Sequence, residues 1–231
     1  TGPADGVRVV GSFRAVRIEG DSSVVSAIAE GPFRLRRDGG MMVFEEEVSD
    51  DDSESYLMFG PRQRVRVRGK LNGRRVHWNA GGERPELRLR MNPNLPLFLD
   101  LTAGSAKVSG IQGPITAEIT AGSAKIVGVH SPLNLAIEAG SAKISGLFDS
   151  GESKIRCSAG SVRVELDPES DVKISASATL GKVALPDGSE GDEGWFFGGG
   201  SRHLTLGEGK GLLDIDTNAG AVSVSVGKGL L

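Results

Sequence analysis

Ala103-Gly104-Ser105-Ala106-Lys107-Val108-Ser109-Gly110 is followed by Ala121-Gly122-Ser123-Ala124-Lys125-Ile126-Val127-Gly128 and then by Ala139-Gly140-Ser141-Ala142-Lys143-Ile144-Ser145-Gly146, so one octapeptide returns every 18 residues. Self-similarity at a fixed short period is the mark of a repeat architecture, in which each unit buries its apolar side only against its neighbours. Ala159-Gly160-Ser161-Val162-Arg163-Val164 is a fourth copy, 20 residues on. Leu180-Gly181-Lys182-Val183-Ala184-Leu185 and Ala219-Gly220-Ala221-Val222-Ser223-Val224 are drifted fifth and sixth copies.

Within a unit the apolar residues alternate, Leu99, Leu101 and Ala103 before the glycine and Ala106 and Val108 after it, which is the period of a strand rather than of a helix. Aligning the copies gives apolar columns: Leu101, Ile119, Ile137 and Cys157; Leu99, Ala117, Leu135 and Ile155; Val108, Ile126, Ile144 and Val164. These columns are expected to face inward. Thr102, Thr120, Glu138 and Ser158, and beyond the corner Lys107, Lys125, Lys143 and Arg163, form the outward columns. Equivalent positions stack only if successive units lie parallel, since a hairpin meander would scramble them. The expected fold is therefore all-β, a single elongated parallel β-solenoid with two short strands per coil of 18–21 residues. It is expected to be right-handed from the general preference of parallel crossovers.

Outside the repeats the chain still reads as β. Val7-Arg8-Val9, Ala15-Val16-Arg17-Ile18, Phe33-Arg34-Leu35, Met42-Val43-Phe44 and Val65-Arg66-Val67 are short alternating segments. Residues 1–231 thus form one domain, with irregular coils and an N-terminal cap over 1–93 and regular coils over 94–231, the latter interrupted by an insertion at 186–201. Seven acids in ten positions, Glu45 to Glu54, mark an exposed loop. The 34 glycines and the 5% share of aromatic residues suit a thin, corner-rich core rather than a broad globular one.

The opening Phe13-Arg14-Ala15-Val16-Arg17-Ile18-Glu19-Gly20, the strand Leu87-Arg88-Leu89-Arg90-Met91-Asn92-Pro93, the corners from Gly104 to Gly160 and the closing Leu206-Gly207-Glu208-Gly209-Lys210-Gly211 with Leu213 to Gly220 resemble the bacterial adhesin-type β-solenoids, also called toastrack-type domains. The resemblance covers most of the chain. It implies the fold and an interaction role, in a setting of envelope-stress regulators or membrane anchors, and it brings no catalytic residues.

The residues themselves offer little for catalysis. His77, His130 and His203 sit in unrelated contexts, and Cys157 falls in an aliphatic column, where a thiol behaves as a small hydrophobe with a raised pKa. Asp100 and Glu118 stack one coil apart, the pattern of a polysaccharide-cleaving β-helix, but their column continues as Ala136 and Arg156. Gly207 to Gly211 lacks phosphate-loop spacing, and the acidic run Asp187 to Glu193 fits no calcium-loop pattern. No catalytic residue, cofactor or metal is expected. A net charge of −3 supplies no global basic field for nucleic acid.

Three features are candidate binding determinants. Lys107, Lys125, Lys143 and Arg163 would repeat at about 5 Å, costing about 1 kcal/mol per adjacent pair even in water; they are either a duplicated solvated lysine or a stripe for an anionic partner. Arg64, Arg66 and Arg68 share one face of a strand within six arginines from Arg62 to Arg75, and they either pair with the acidic loop or bind a partner. Trp195, Phe196 and Phe197 lie in a glycine-rich loop, either over the core of the last coils or as an anchor for a protein or membrane. The uncharged strand Ala221 to Val226 is the expected end of the stack and the expected route to self-association. A scaffold that binds a protein partner is the leading expectation, with a self-assembling structural protein and a polysaccharide-binding or polysaccharide-cleaving β-helix as alternatives. With no signal segment visible, and Thr1 compatible with loss of an initiator Met, cytoplasmic residence is expected, or an envelope-associated or exported domain if an upstream segment was trimmed.

The aromatic loop yields a first prediction. Each ring buried in a partner contributes about 1.5–3 kcal/mol, so Trp195→Ala with Phe197→Ala should weaken association while leaving the melting temperature within a degree. A melting transition several degrees lower would assign the rings to the core.

Overall fold

The computed structural model describes residues 4–46, 86–130, 132–192 and 198–227, and the backbone of 65–71 and 74–80. Among these residues there are sixteen strands and no helix. The first part of the chain contributes β1 (Gly6–Gly11), β2 (Ala15–Gly20), β3 (Ala27–Glu30), β4 (Phe33–Asp38), β5 (Met41–Glu46), β6 (Val65–Leu71), β7 (Arg74–Ala80) and β8 (Glu86–Met91). The repeats contribute β9 (Leu97–Ser109), β10 (Ile115–Val129), β11 (Leu133–Gly146), β12 (Glu152–Leu166) and β13 (Val172–Ala184). After them come β14 (Glu190–Asp192), β15 (Gly200–Leu206) and β16 (Gly211–Val226). Fourteen of the strands form one mostly parallel sheet, which does not close into a barrel.

The repeat strands pair in the register that the columns require. Leu101 faces Ile119, Ile119 faces Ile137 and Ile137 faces Cys157, while Gly104, Gly122, Gly140 and Gly160 form their own column. Each repeat is one strand of 13–15 residues running through the corner, rather than the two separate short strands expected. The glycine makes the corner without ending the pairing. Before it the buried residues are Leu97, Leu99, Leu101 and Ala103; after it they are Ala106 and Val108. An unbroken pleat would send 103 and 106 to opposite faces. Gly104, at φ +123°, turns the second leg so that both legs bury apolar residues in one core.

The same column excludes any larger residue. A Cβ at Gly122, Gly140 or Gly160 would overlap the carbonyl oxygen of the glycine one strand earlier. Gly104 stands in the same relation to the carbonyl of Phe13, because β1 and β2 together serve as the strand before β9, one on each leg. Beyond them β5 lies on β1 and β8 on β2, both parallel. The antiparallel strands β4 and β3 then cover those two. Phe33 and Phe44 pack edge to face there, their ring centroids 5.3 Å apart.

Three expectations are corrected. The sheet is not parallel throughout, since β3, β4, β14 and β15 run antiparallel; β14 and the first residues of β15 fall within the 186–201 stretch. The strand bearing Arg66 and Arg68 pairs only with β7 among the described residues, as a two-stranded sheet apart from the large one. Most importantly, Ala221–Val226 is not the end of the stack. β16 enters between β12 and β13, so that Thr217 lies between Cys157 and Ala178, and Val222 between Val162 and Val183.

The cause of this exchange lies in the connections. β15 folds back antiparallel along the first leg of β13, and the following turn carries the chain to the other side of β13. There the Asp171 carboxylate accepts from the backbone N–H of Gly209 and of Lys210 and pairs with the Lys210 ammonium at 3.1 Å. Burial opposes the charge on Asp171, but these donors hold its carboxyl below the usual range. On the second leg the sheet ends at β13, whose Leu180–Ala184 pair with β16 alone among the described strands, whereas on the first leg β15 and then β14 lie outside β13.

Gly140→Ala should therefore cost about 3 kcal/mol or more, from backbone overlap in addition to a strained φ. Gly188→Ala, at φ +87° with nothing within 4 Å of the added Cβ, should cost only about 1–2 kcal/mol. Urea unfolding midpoints of the two variants will show the difference, and equal midpoints would deny the glycine column its role.

Candidate functional site

The cationic column is built by its neighbours. Ala106 and Val108, Ala124 and Ile126, Ala142 and Ile144, and Val162 and Val164 are all buried, so the strand pleat projects Lys107, Lys125, Lys143 and Arg163 outward, where all four are exposed. Lys107 faces Lys125, Lys125 faces Lys143 and Lys143 faces Arg163 across adjacent parallel strands. Among the described residues no carboxylate lies within ion-pairing distance of any of the four.

The row is longer than the repeats suggested. Arg17 of β2 is the register partner of Lys107, and Arg88 of β8 is the partner of Arg17. Six cations thus cross six strands in a line. Arg17 and Arg88 differ from the rest in sharing the Glu86 carboxylate, at 2.8 and 3.7 Å. At the other end the row finishes in Ser223 and Ala184. A signal for the two extra members was present in the sequence, since Val16-Arg17-Ile18 and Leu87-Arg88-Leu89 repeat the apolar-cation-apolar triplet of Ala106-Lys107-Val108. Only the pairing of distant strands puts them in line.

Two residues toward the corner runs a second row, Ser105, Ser123, Ser141 and Ser161, in the same register and at the same parity as the cations. Ser105 is engaged, its Oγ donating to the Arg14 carbonyl. A shallow groove of about 280 Å³ is lined by Ser123, Lys125, Ser141, Lys143, Ser161 and Arg163. A neighbouring depression of about 340 Å³ involves Arg17, Arg88, Arg90 and Lys107, but here Glu19 and Glu30 mix the charge. Chemically the first groove offers ammonium, guanidinium and hydroxyl donors to an extended anion.

Arg64 and Trp195, Phe196 and Phe197 lie outside the described residues, as does most of the acidic loop. Arg66 and Arg68 stand opposite Asn79 and His77 in the small sheet. Cys157 is 2% exposed, and burial pushes its thiol up. His130 is exposed in a turn and His203 in the middle of β15. Among the described residues neither histidine hydrogen-bonds a hydroxyl, thiol or carboxylate, and no three His, Cys, Asp or Glu side chains gather to hold a metal.

Asp100 and Glu118 are register partners, and their column runs on through Ala136, Arg156, Asp216 and Ser177. It therefore contains a third acid, Asp216, which accepts from the Ser177 hydroxyl. Two residues earlier on the same strand, Asp214 faces Lys154 and Ser175. Burial and then repulsion from Asp216 raise the Asp214 carboxyl, against the pull of Lys154 and Arg156. A carboxyl raised on folding contributes stability below its unfolded pKa and loses it as pH rises through the folded value. Asp214→Asn should then raise the melting temperature at pH 7 by roughly one to two degrees, and the gain should vanish toward pH 3. A gain that is larger at acid pH would reverse the sign of this assignment.

No family model and no curated protein matches the chain. Among solved structures it is similar to one described as a "putative cell adhesion protein" from Clostridium sporogenes, at 14% identity and a TM-score of 0.45, over 97% of this chain and 94% of that one.

Proposed function

We propose that this chain is a right-handed parallel β-solenoid of the adhesin-like, toastrack type, acting as a non-enzymatic module that binds another macromolecule in a bacterial envelope or stress-response setting. The observation that carries the reading is the open cationic row. In a protein of net charge −3, whose exposed Arg36, Arg90 and Lys210 are in ion pairs with neighbouring acids while Lys173 and Lys182, like the row, are exposed outside any such pair among the described residues, Lys107, Lys125, Lys143 and Arg163 are the unpaired cations that stand in one line across adjacent strands. Like charges held in register repel, so leaving them unpaired costs stability that a bound anion returns. The handedness follows from the crossover preference of parallel strands.

At pH 7 and low salt the protein should be retained on a sulfonate resin despite its net negative charge. Lys125→Glu with Lys143→Glu should pass through the column with an unchanged melting temperature. Equal retention of the two proteins would remove this face as the binding surface. Turnover of a polysaccharide or ester that is lost in Asp100 or Glu118 variants would replace the module with an enzyme.

A further inference from the structure

The spacing of the row selects among anionic partners. We infer that the face formed by Ser105, Ser123, Ser141 and Ser161 with Lys107, Lys125, Lys143 and Arg163 binds a linear anionic polysaccharide, laid across the strands with about one acidic sugar per strand. The inference rests on the interaction-module reading above and names its partner class.

The four open cations sit on consecutive parallel strands in one register. Their backbone origins are thus about 4.8 Å apart, in a line of roughly 14 Å. A ligand that uses all four must run along this line and present charge at nearly the same interval. An extended acidic peptide repeats its same-face carboxylates at about 6.6 Å, so it falls out of step after one rung. An acidic helix repeats at its 5.4 Å pitch and lags by about 2 Å over three rungs. The phosphates of a duplex strand come too densely, about 3.4 Å apart along the axis. Unpaired nucleic acid is held by a cationic groove together with aromatic side chains on which its bases stack, and among the described residues no aromatic lines either groove on this face. A pyranose ring with its linkage advances by close to one strand spacing. The long stem of lysine lets the ammonium reach a carboxylate on either edge of the ring.

The serine row supplies what a sugar needs beyond charge. Hydroxyls that both donate and accept lie beside the cations, in register with them on all four strands. Ser141 and Ser161 are exposed and Ser123 is half-buried, so three of the four border the groove where ring hydroxyls would lie. A neutral sugar would lack a reason to choose this face, whose described lining offers no ring for stacking. The acidic groups give it one. Arg17 and Arg88 do not extend the site at full strength, because Glu86 already shares their charge.

Oligogalacturonates of two to eight rings, each ring bearing one carboxylate, provide the probe. Affinity measured by calorimetry or fluorescence anisotropy should rise with each added ring up to about four to five and then level, since longer chains overrun the open rungs. Lys125→Gln with Lys143→Gln should reduce the slope of log K against log salt by about two and weaken binding at least tenfold, with melting unchanged. Poly-L-glutamate and oligothymidylate of equal charge should bind at least tenfold more weakly than the hexamer. Length-independent affinity, an unaltered salt slope, or equal binding of polyglutamate or oligothymidylate would overturn the polysaccharide. If the sulfonate retention still depends on Lys125 and Lys143 in that case, the anion-binding face stands and only its partner is wrong. If that dependence is also missing, both fall together.

Discussion

Everything in the large sheet depends on the close approach of backbone at the corner, where each glycine Cα lies against the carbonyl oxygen of the glycine before it. No side chain fits between them, and the positive φ of the corner is one that other residues enter only under strain. The glycine therefore does two things at once. It bends a single strand so that both legs serve one core, and it fixes where along the neighbouring strand that bend must sit. A register slip of one residue would put a Cβ into a carbonyl as well as turn every buried residue outward. The N-terminal strands meet the same condition differently, by placing the Phe13 carbonyl over Gly104 and letting two separate strands, β1 and β2, supply the legs.

The exact register has an electrostatic consequence. Repeats that stack identical residues also stack identical charges, and the strand spacing leaves like charges as nearest neighbours. The fold answers this in two ways. Where Arg17 and Arg88 join the row, Glu86 stands between them as a shared partner; over Lys107, Lys125, Lys143 and Arg163 no described residue supplies a comparable one. The acid column on the other leg shows the opposite tendency, since it changes sign from Asp100 and Glu118 to Arg156 and back to Asp216 within five strands. The unrelieved row is thus a local property of the second leg and is not forced by the architecture.

The insertion of β16 between β12 and β13 changes what the C-terminal part of the molecule can do. A sixth repeat stacked last would expose a strand of alternating valine and serine, an invitation to edge-to-edge pairing. Placed inside, the same strand is covered on both edges over most of its length, and Thr217 becomes a buried residue at 2% exposure. The connection is long-range, since β15 lies along one edge of β13 and β16 along the other. Asp171, gripping the Gly209 and Lys210 amides, holds the turn at which the chain changes sides.

Much of this was legible in the sequence because glycine corners and period-two apolar positions admit few arrangements. The strand character, the parallel stacking of Leu101, Ile119, Ile137 and Cys157, and the outward row of Lys107, Lys125, Lys143 and Arg163 all follow from an octapeptide that returns in register. The order of the last three strands does not follow, since the corners at Gly160, Gly181 and Gly220 are interchangeable as patterns and each would accept either of the others as a neighbour. Their order was decided by a side chain, Asp171, and by an antiparallel return, neither of which the repeat encodes. Likewise Arg17 and Arg88 carry the local triplet of the cationic row, but their place in it depends on β8 pairing with β2 and β2 with β9, across long stretches of chain. A periodic sequence determines what stacks on what kind of neighbour; which particular neighbour arrives is settled only when the connections are packed.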